Sequence, residues 1–310
     1  MDVVKGIIVI LVTGATGTVG RQVVTQLTER GLPVRALTRD PASAGLPADV
    51  EVVRGDLAEP ASLEPHLAGA DSVFLVWPFT APGLAAGLGA RVVEMLASHG
   101  TRVVYLSAQA AAGRPDSFWA TMERLIEDSG AAWTFLRPTG FAANTLMWAD
   151  QIRGQGVVRW PYGAATRSLI HEHDLAAVAV RALTEDRHAG QRYLLTGPEA
   201  ITQADQVRII GEVTGRAVAG RNCHLRRPGG NCSPPGAIPA SWTPRSPPGP
   251  GWSASQSRSP GRSRRSPAHR LAPSDSGQPT TLAISVRPPP PRWPTVSLAD
   301  IREPNRLRLQ

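Results

Sequence analysis

Three glycines, Gly14, Gly17 and Gly20, stand three residues apart in the stretch VTGATGTVG. Ile7 to Val12 precede them as an unbroken run of β-branched and aliphatic residues, the pattern of a strand buried on both faces of a parallel sheet. After them Val19, Val23, Val24 and Leu27 fall at helical spacing. A strand, a glycine turn and a helix in immediate succession aim the free N–H groups and the positive dipole end of the helix at the space above the turn, where a pyrophosphate is favoured. Gly14 serves the turn, Gly17 the approach of phosphate and Gly20 the packing of helix on strand. A glycine-rich turn with no ligand is the plainer alternative. About 20 residues further on, where such a fold contacts the adenosine ribose, the chain offers Arg39, with Arg35 nearby and Asp40 only afterwards. An arginine there matches the 2′-phosphate of NADP better than the 2′-hydroxyl of NAD, although NAD stays possible and a solvated surface arginine is the bland reading.

Other groups that could do chemistry are sparse. A tyrosine with a lysine four residues on is a tuned proton donor, but Tyr105, Tyr162 and Tyr193 are followed at that spacing by Gln109, Thr166 and Gly197, and Lys5 is the only lysine. The helix expected at 115–128 carries Asp116, Trp119 and Glu123 in its place. Glu123 and Glu127, one turn apart, could act as paired carboxylates; with Arg124 and Asp128 beside them an exposed charged face is the expected reading. His171 and His173 share a strand face in a metal reading, yet no further ligand completes a set, and Asp174 fits as the N-cap of the helix that follows. Cys223, His224 and Cys232 match no structural zinc spacing. No metal is expected.

The elements that hold these residues alternate. Strands are expected at 33–37, 50–53, 72–76, 103–107 and 133–136, with helices at 63–67 (Ser62 its cap), 83–99 and 115–128 between them. Such alternation means right-handed crossovers and an α/β, doubly wound parallel sheet. Trp77-Pro78 follows the fourth strand, at the carboxyl edge where open α/β sheets bind ligands. Beyond Arg137 come short elements: a helix at 142–152, a strand at 157–159, a segment at 169–170, a helix at 174–183, a strand at 193–196 and a helix capped by Thr202. They suit a small lobe over the ligand edge. The expected organisation is a nucleotide-binding domain at 1–140, a lobe at 141–218 that completes the same fold, and a tail at 219–310.

The net charge of +8 averages two unlike parts. Residues 1–220 hold 19 Lys and Arg against 22 Asp and Glu, whereas residues 221–310 hold 14 against 3 together with 18 of the 29 prolines. The basic balance therefore belongs to the tail, and a specific nucleic-acid partner is not implied for the folded part. The tail has too few apolar residues to offset the entropy of ordering it, and reads as disordered. Its composition also fits a GC-rich gene read out of frame. Joining the third base of each codon to the first two of the next turns Asn222-Cys223 and Asn231-Cys232 into Leu and Trp242-Thr243 into Asp. With G or C at third positions, 221–225 becomes Glu-Leu-Pro-Pro and 230–235 becomes Gln-Leu-Leu-Ala-Ala, which is helix-forming text. Both cysteines lie in this part, no run approaches the roughly 18 to 20 apolar residues of a membrane span, and a cytoplasmic protein is expected.

Taken together, VTGATGTVG, VRALTRDP, a Gly-Asp-Leu after the third strand, VVYLSA and WTFLRPTGF resemble the NmrA-like group of atypical short-chain dehydrogenase/reductase proteins over about residues 7–215. The resemblance implies a Rossmann fold with NAD(P) held at Gly14, Thr16, Gly17, Thr18 and Val19, Arg39 at the ribose or its phosphate, and Asp56 and Leu57 beside adenine. It places Trp77 and Pro78 along the cofactor, Ser107 near the nicotinamide, and Pro138 and Phe141 at the border of a substrate cavity. Two functions fit it. One is an NAD(P)H-dependent oxidoreductase of small carbonyl or quinone compounds working without the Tyr/Lys pair. The other is a non-catalytic, redox-sensing regulator that binds NAD(P) and a protein partner.

Overall fold

A strand whose residues are all apolar has to be covered on both faces, and in β1 (Val9–Val12) Ile10, Leu11 and Val12 are fully buried. The computed structural model describes residues 8–223 and Thr295–Val296. All belong to one compact unit; a second unit, 245–292, lies outside the described residues, as do Lys5, His224 and Cys232 and nearly all of the tail.

β1 pairs in parallel with β2 (Val34–Thr38) on one side and β4 (Ala70–Leu75) on the other. β3 (Glu51–Arg54) extends one edge; β5 (Arg102–Leu106), β6 (Trp133–Pro138), β9 (Gln191–Leu195) and the two-residue β12 (Thr295–Val296) extend the other. The strand order is β12-β9-β6-β5-β4-β1-β2-β3. The winding reverses between β1 and β4, which leaves a crevice at their carboxyl ends. The expected doubly wound parallel sheet is the fold of the protein.

Helices cover both faces. α1 (Thr18–Thr28) and α8 (Glu172–Thr184) share one, where Val23, Val24 and Leu27 meet Leu175, Ala179 and Leu183. On the other, α2 (Glu64–Leu67), α4 (Ala90–Ser98) and α6 (Phe118–Asp128) bury Leu67, Val92, Val93, Leu96, Met122 and Ile126. Each such side chain contributes about 1.5–3 kcal/mol when fully buried. A continuous helix over 83–99 was the expectation. The chain instead forms a turn of α3 (Pro82–Leu84), a π-helical stretch Ala85–Gly89 and then α4. The missing Cβ of Gly89 leaves room for Met122, whose Sδ would stand 2.5 Å from it. That close approach of α6 accompanies the widened turn. α5 (Ala110–Gly113) is a single turn after β5.

A smaller group of elements consists of α7 (Ala149–Gln155), preceded by a 3₁₀ stretch Ala142–Trp148, and α9 (Gln203–Thr214), with two small sheets. In one, β7 (Val157–Trp160) runs parallel to β11 (Ala219–Asn222); in the other, β8 (Thr166–Arg167) opposes β10 (Ile201–Thr202). Trp148, Val158, Trp160 and Val207 form its own core. Ala219–Asn222, which composition assigns to the tail, is thus an exposed strand. Thr202 caps α9 as expected, its Oγ1 accepting from the Asp205 N–H at 3.0 Å. Two other caps differ. His171, not Asp174, caps α8, its Nδ1 accepting from the His173 N–H at 3.1 Å, and the two histidines open a helix and share no strand face. Ser62 ends a 3₁₀ turn and spends its hydroxyl on Glu59 and Asp56.

Candidate cofactor and active site

The glycine turn closes as its spacing requires. Gly14 has φ of +60°, a region that favours glycine, and Gly17 N–H donates to its carbonyl at 2.9 Å. A Cβ on Gly20 would lie 2.1 Å from that same carbonyl oxygen, so α1 can sit this close to the turn only with glycine there. Gly17 has φ −79° and ψ 176°, open to any residue. Glycine at 17 is therefore explained by the space above the turn and not by backbone strain. α6, α8 and α9 have side-chain caps, whereas α1 begins with no side-chain cap at all. The first-turn N–H groups of Thr18 and Val19 thus open onto the crevice, with Thr16 and Thr18 exposed around it. This cradle fits a dinucleotide pyrophosphate. Thr13 fixes its base: the hydroxyl donates to Phe74 O at 3.1 Å and accepts from Val76 N–H at 2.8 Å, tying the end of β1 to β4.

At the end of β2 Arg39 is exposed, and only its carbonyl is engaged, by Arg54 Nε at 3.2 Å. Arg35 is committed elsewhere, to Glu51 at 2.9 Å and to His66 O at 2.7 Å, so it takes no part in this site. Asp40 is turned inward to its own loop, accepting from Ser43 Oγ at 2.7 Å and Ala42 N–H at 3.2 Å. The Ser43 hydrogen bond above all holds its pKa below the ordinary carboxylate value. Asp56 is half-buried after β3, its carboxylate capping Ala58 N–H, with Leu57 buried beside it. Past β4, Pro78 is exposed, while the Trp77 ring turns into the core against Phe79 and leaves Nε1 without a partner.

The most concentrated buried polar cluster sits at the carboxyl ends of β5 and β6. Ser107 Oγ donates to Glu123 Oε1 at 2.5 Å; Arg137 Nε donates to the same oxygen at 2.9 Å, and its terminal nitrogen bonds Oε2. All three residues are under a tenth exposed. This corrects the expectation of a solvated charged face on α6: Glu123 faces inward, and only Arg124 and Asp128 are exposed, with Glu127 paired to Arg192. A sequence signal existed, since Arg137 stands in the otherwise buried strand WTFLRP and a buried cation requires a partner. Tyr105, fully buried two residues before Ser107, has a hydroxyl with no partner; burial first and the Glu123 charge second push its ionisation far up, so it stays a phenol.

Beside this cluster a cavity of about 370 Å³ is lined by Gln109, Thr139, Thr166, Arg167 and Ser168. Pro138, buried, anchors Gln109 through its carbonyl at 3.0 Å; half-buried Phe141 packs on the core and bridges to Ile170. Arg167 donates to Thr139 O at 3.2 Å, and burial lowers its guanidinium below the ordinary arginine value. Among the described residues no group of three or more metal-ligating side chains gathers, and no helix is long and apolar enough to cross a membrane.

The chain is similar to known NAD(P)H-binding proteins. The family model for NAD(P)H-binding proteins matches residues 14–186. The (4-alkanoyl-5-oxo-2,5-dihydrofuran-3-yl)methyl phosphate reductase of Streptomyces griseus is 42% identical over 215 residues, 67% of this chain and 74% of that one. The NAD(P)H azoreductase of Xenophilus azovorans is 38% identical over 67% of this chain and 75% of its own. The crystal structure of an NADPH-dependent quinone oxidoreductase from Escherichia coli, complexed with NADPH, superposes with a TM-score of 0.60 at 26% identity, covering 69% of this chain and 78% of that one. The chain belongs to the NAD(P)H-binding family, among the NmrA-like, atypical short-chain dehydrogenase/reductase proteins, and is an NAD(P)H-dependent oxidoreductase.

Proposed function

We propose that the protein uses NADPH to reduce small conjugated acceptors, quinones and carbonyl compounds whose electron-poor π-system takes a hydride without a strong acid at the oxygen. The observation that carries this reading is the pairing of a complete glycine cradle with an edge that holds the Ser107, Glu123 and Arg137 cluster and no Tyr/Lys pair. NADPH, when bound, supplies the hydride. The chain supplies position. Gly14, Gly17 and the first turn of α1 hold the pyrophosphate, Arg39 meets the 2′-phosphate, and Asp56 and Leu57 border the adenine. Pro78 lies along the path toward Ser107, at the end of β5, which meets the nicotinamide end. The cavity between Gln109 and Arg167, bordered by Pro138 and Phe141, receives the acceptor. A quinone or enone spreads the arriving negative charge onto a carbonyl oxygen, so water at this half-open cavity is enough to deliver the proton.

The division into a cofactor domain, 1–140, and a lobe, 141–218, that completes the same fold and walls the acceptor cavity belongs to the same reading. Its test is NADPH oxidation followed in the near ultraviolet with 1,4-benzoquinone, menadione and an unsaturated lactone. Turnover of at least one, with NADPH preferred over NADH, is expected. Tight NADPH binding with no turnover of any of them overturns it.

A further inference from the structure

We propose that Glu123 and Arg137 are a positioning pair that holds the Ser107 hydroxyl as a pure hydrogen-bond acceptor toward the nicotinamide end of the cofactor. This rests on the reading above that Ser107 meets the cofactor. A serine hydroxyl has one proton and two lone pairs. Here the proton is spent on Glu123 Oε1 at 2.5 Å, and the Ser107 N–H is spent on Leu136 O at 2.8 Å and Tyr105 O at 3.0 Å. What Ser107 can turn to the crevice is lone pairs alone, which suit an amide N–H₂ and cannot protonate a substrate oxygen. Glu123 is held in turn. Arg137 grips both carboxylate oxygens from the neighbouring strand, so the three residues link β5, α6 and β6 in one rigid chain. The neighbouring phenol cannot replace this, because Tyr105 is fully enclosed in the core.

A purely structural staple between α6 and the sheet would use the same contacts, so the test must read more than stability. NADPH affinity is measured by fluorescence titration, alongside thermal melting, for Ser107→Ala, Glu123→Gln and the double variant. Losing one accepted hydrogen bond should weaken NADPH roughly three- to tenfold in Ser107→Ala. Glu123→Gln should weaken it comparably, and the double variant should be no weaker than Ser107→Ala alone. If Glu123→Gln does not fold, Glu123→Gln/Arg137→Met, which removes both buried charges, serves in its place. Unchanged NADPH affinity in Glu123→Gln, or additive losses in the double variant, overturns the positioning role. Unchanged affinity in Ser107→Ala overturns instead the placement of Ser107 at the cofactor, and the two failures are therefore distinct.

Discussion

Replacing Gly17 or Gly20 by alanine adds the same methyl group three residues apart, yet the structure requires different outcomes. At Gly20 the new Cβ falls 2.1 Å from the Gly14 carbonyl oxygen and 2.7 Å from its carbon, both backbone atoms that cannot rotate away. Ordinary contact begins at 3.4 Å, so the start of α1 must retreat by about 1.3 Å. Overpacking of this kind costs about 1–3 kcal/mol. At about 2–4 °C per kcal/mol for a domain of this size, Gly20→Ala should melt roughly 2–12 °C lower. The displaced helix end also loses the anion, and a misplacement near 1 Å costs about a hundredfold. At Gly17 the Cβ meets only the Gly14 oxygen, at 3.2 Å, and the backbone is unstrained. Gly17→Ala should therefore melt within a degree or two of the parent while losing NADPH, because the methyl occupies the space the phosphate needs. Differential scanning fluorimetry and NADPH titration on the two variants check this. Undiminished NADPH binding by Gly17→Ala refutes the cradle, and an unshifted melting temperature for Gly20→Ala refutes the packing argument.

Arg39→Ala should cost NADPH about 10- to 100-fold in affinity, the worth of a charged hydrogen bond, and leave NADH nearly unchanged; equal losses for both would remove Arg39 from the 2′-phosphate. Arg137→Ala strands the buried Glu123 carboxylate and should destabilise by about 3–5 kcal/mol, whereas the paired removal Glu123→Leu/Arg137→Met should cost much less by urea denaturation. His188, bonded to the Tyr193 hydroxyl at 2.7 Å, is held below its ordinary titration point chiefly by burial. The fold thus favours neutral His188. Stability should be full above about pH 6.5 and fall as the pH drops toward the lowered folded value, since the unfolded chain takes up the proton first. The melting temperature of His188→Gln should fall less between pH 7 and 5 than that of the parent. Finally, the lobe holds a cavity of about 410 Å³ between Trp148, Trp160 and Val207, where Gln203 has neither amide atom partnered and β11 ends at the rim. If the codons after about residue 219 are out of frame, a one-base shift there should give an open frame whose product melts higher; an early stop codon in that frame disproves it.

The sheet was legible because its strands are bounded by glycines and turns and carry unbroken apolar runs, as in Ile7 to Val12 and Val103 to Leu106. The crossover helices followed from the same alternation. What the sequence concealed was direction. Glu123 and Glu127 are one turn apart with charged neighbours, so helical periodicity alone cannot say which faces Arg137 and which faces Arg192. The same holds for Arg35 and Arg39, four residues apart, one consumed by Glu51 and one left at the ligand edge. Caps were misread at Asp174 because His171 offers the helix an equivalent acceptor one residue before it begins. The π-helical turn after β4 depends on Met122 approaching Gly89, a contact between distant segments that no local pattern records.

The contact between α1 and α8 also governs how the chain can be made. Gln26 donates to the carbonyl of His173 at 2.8 Å across 147 residues of sequence, and the Val23, Val24 and Leu27 face of α1 is covered by residues of α8. At about 5–20 residues per second, a ribosome needs roughly 7–30 s to deliver the second helix after the first. During that interval the nascent nucleotide cradle rests on a helix whose apolar face is open to water. A chaperone that shields emerging apolar helices has its longest opportunity there, and pauses in translation between the codons for β4 and α8 lengthen the exposure.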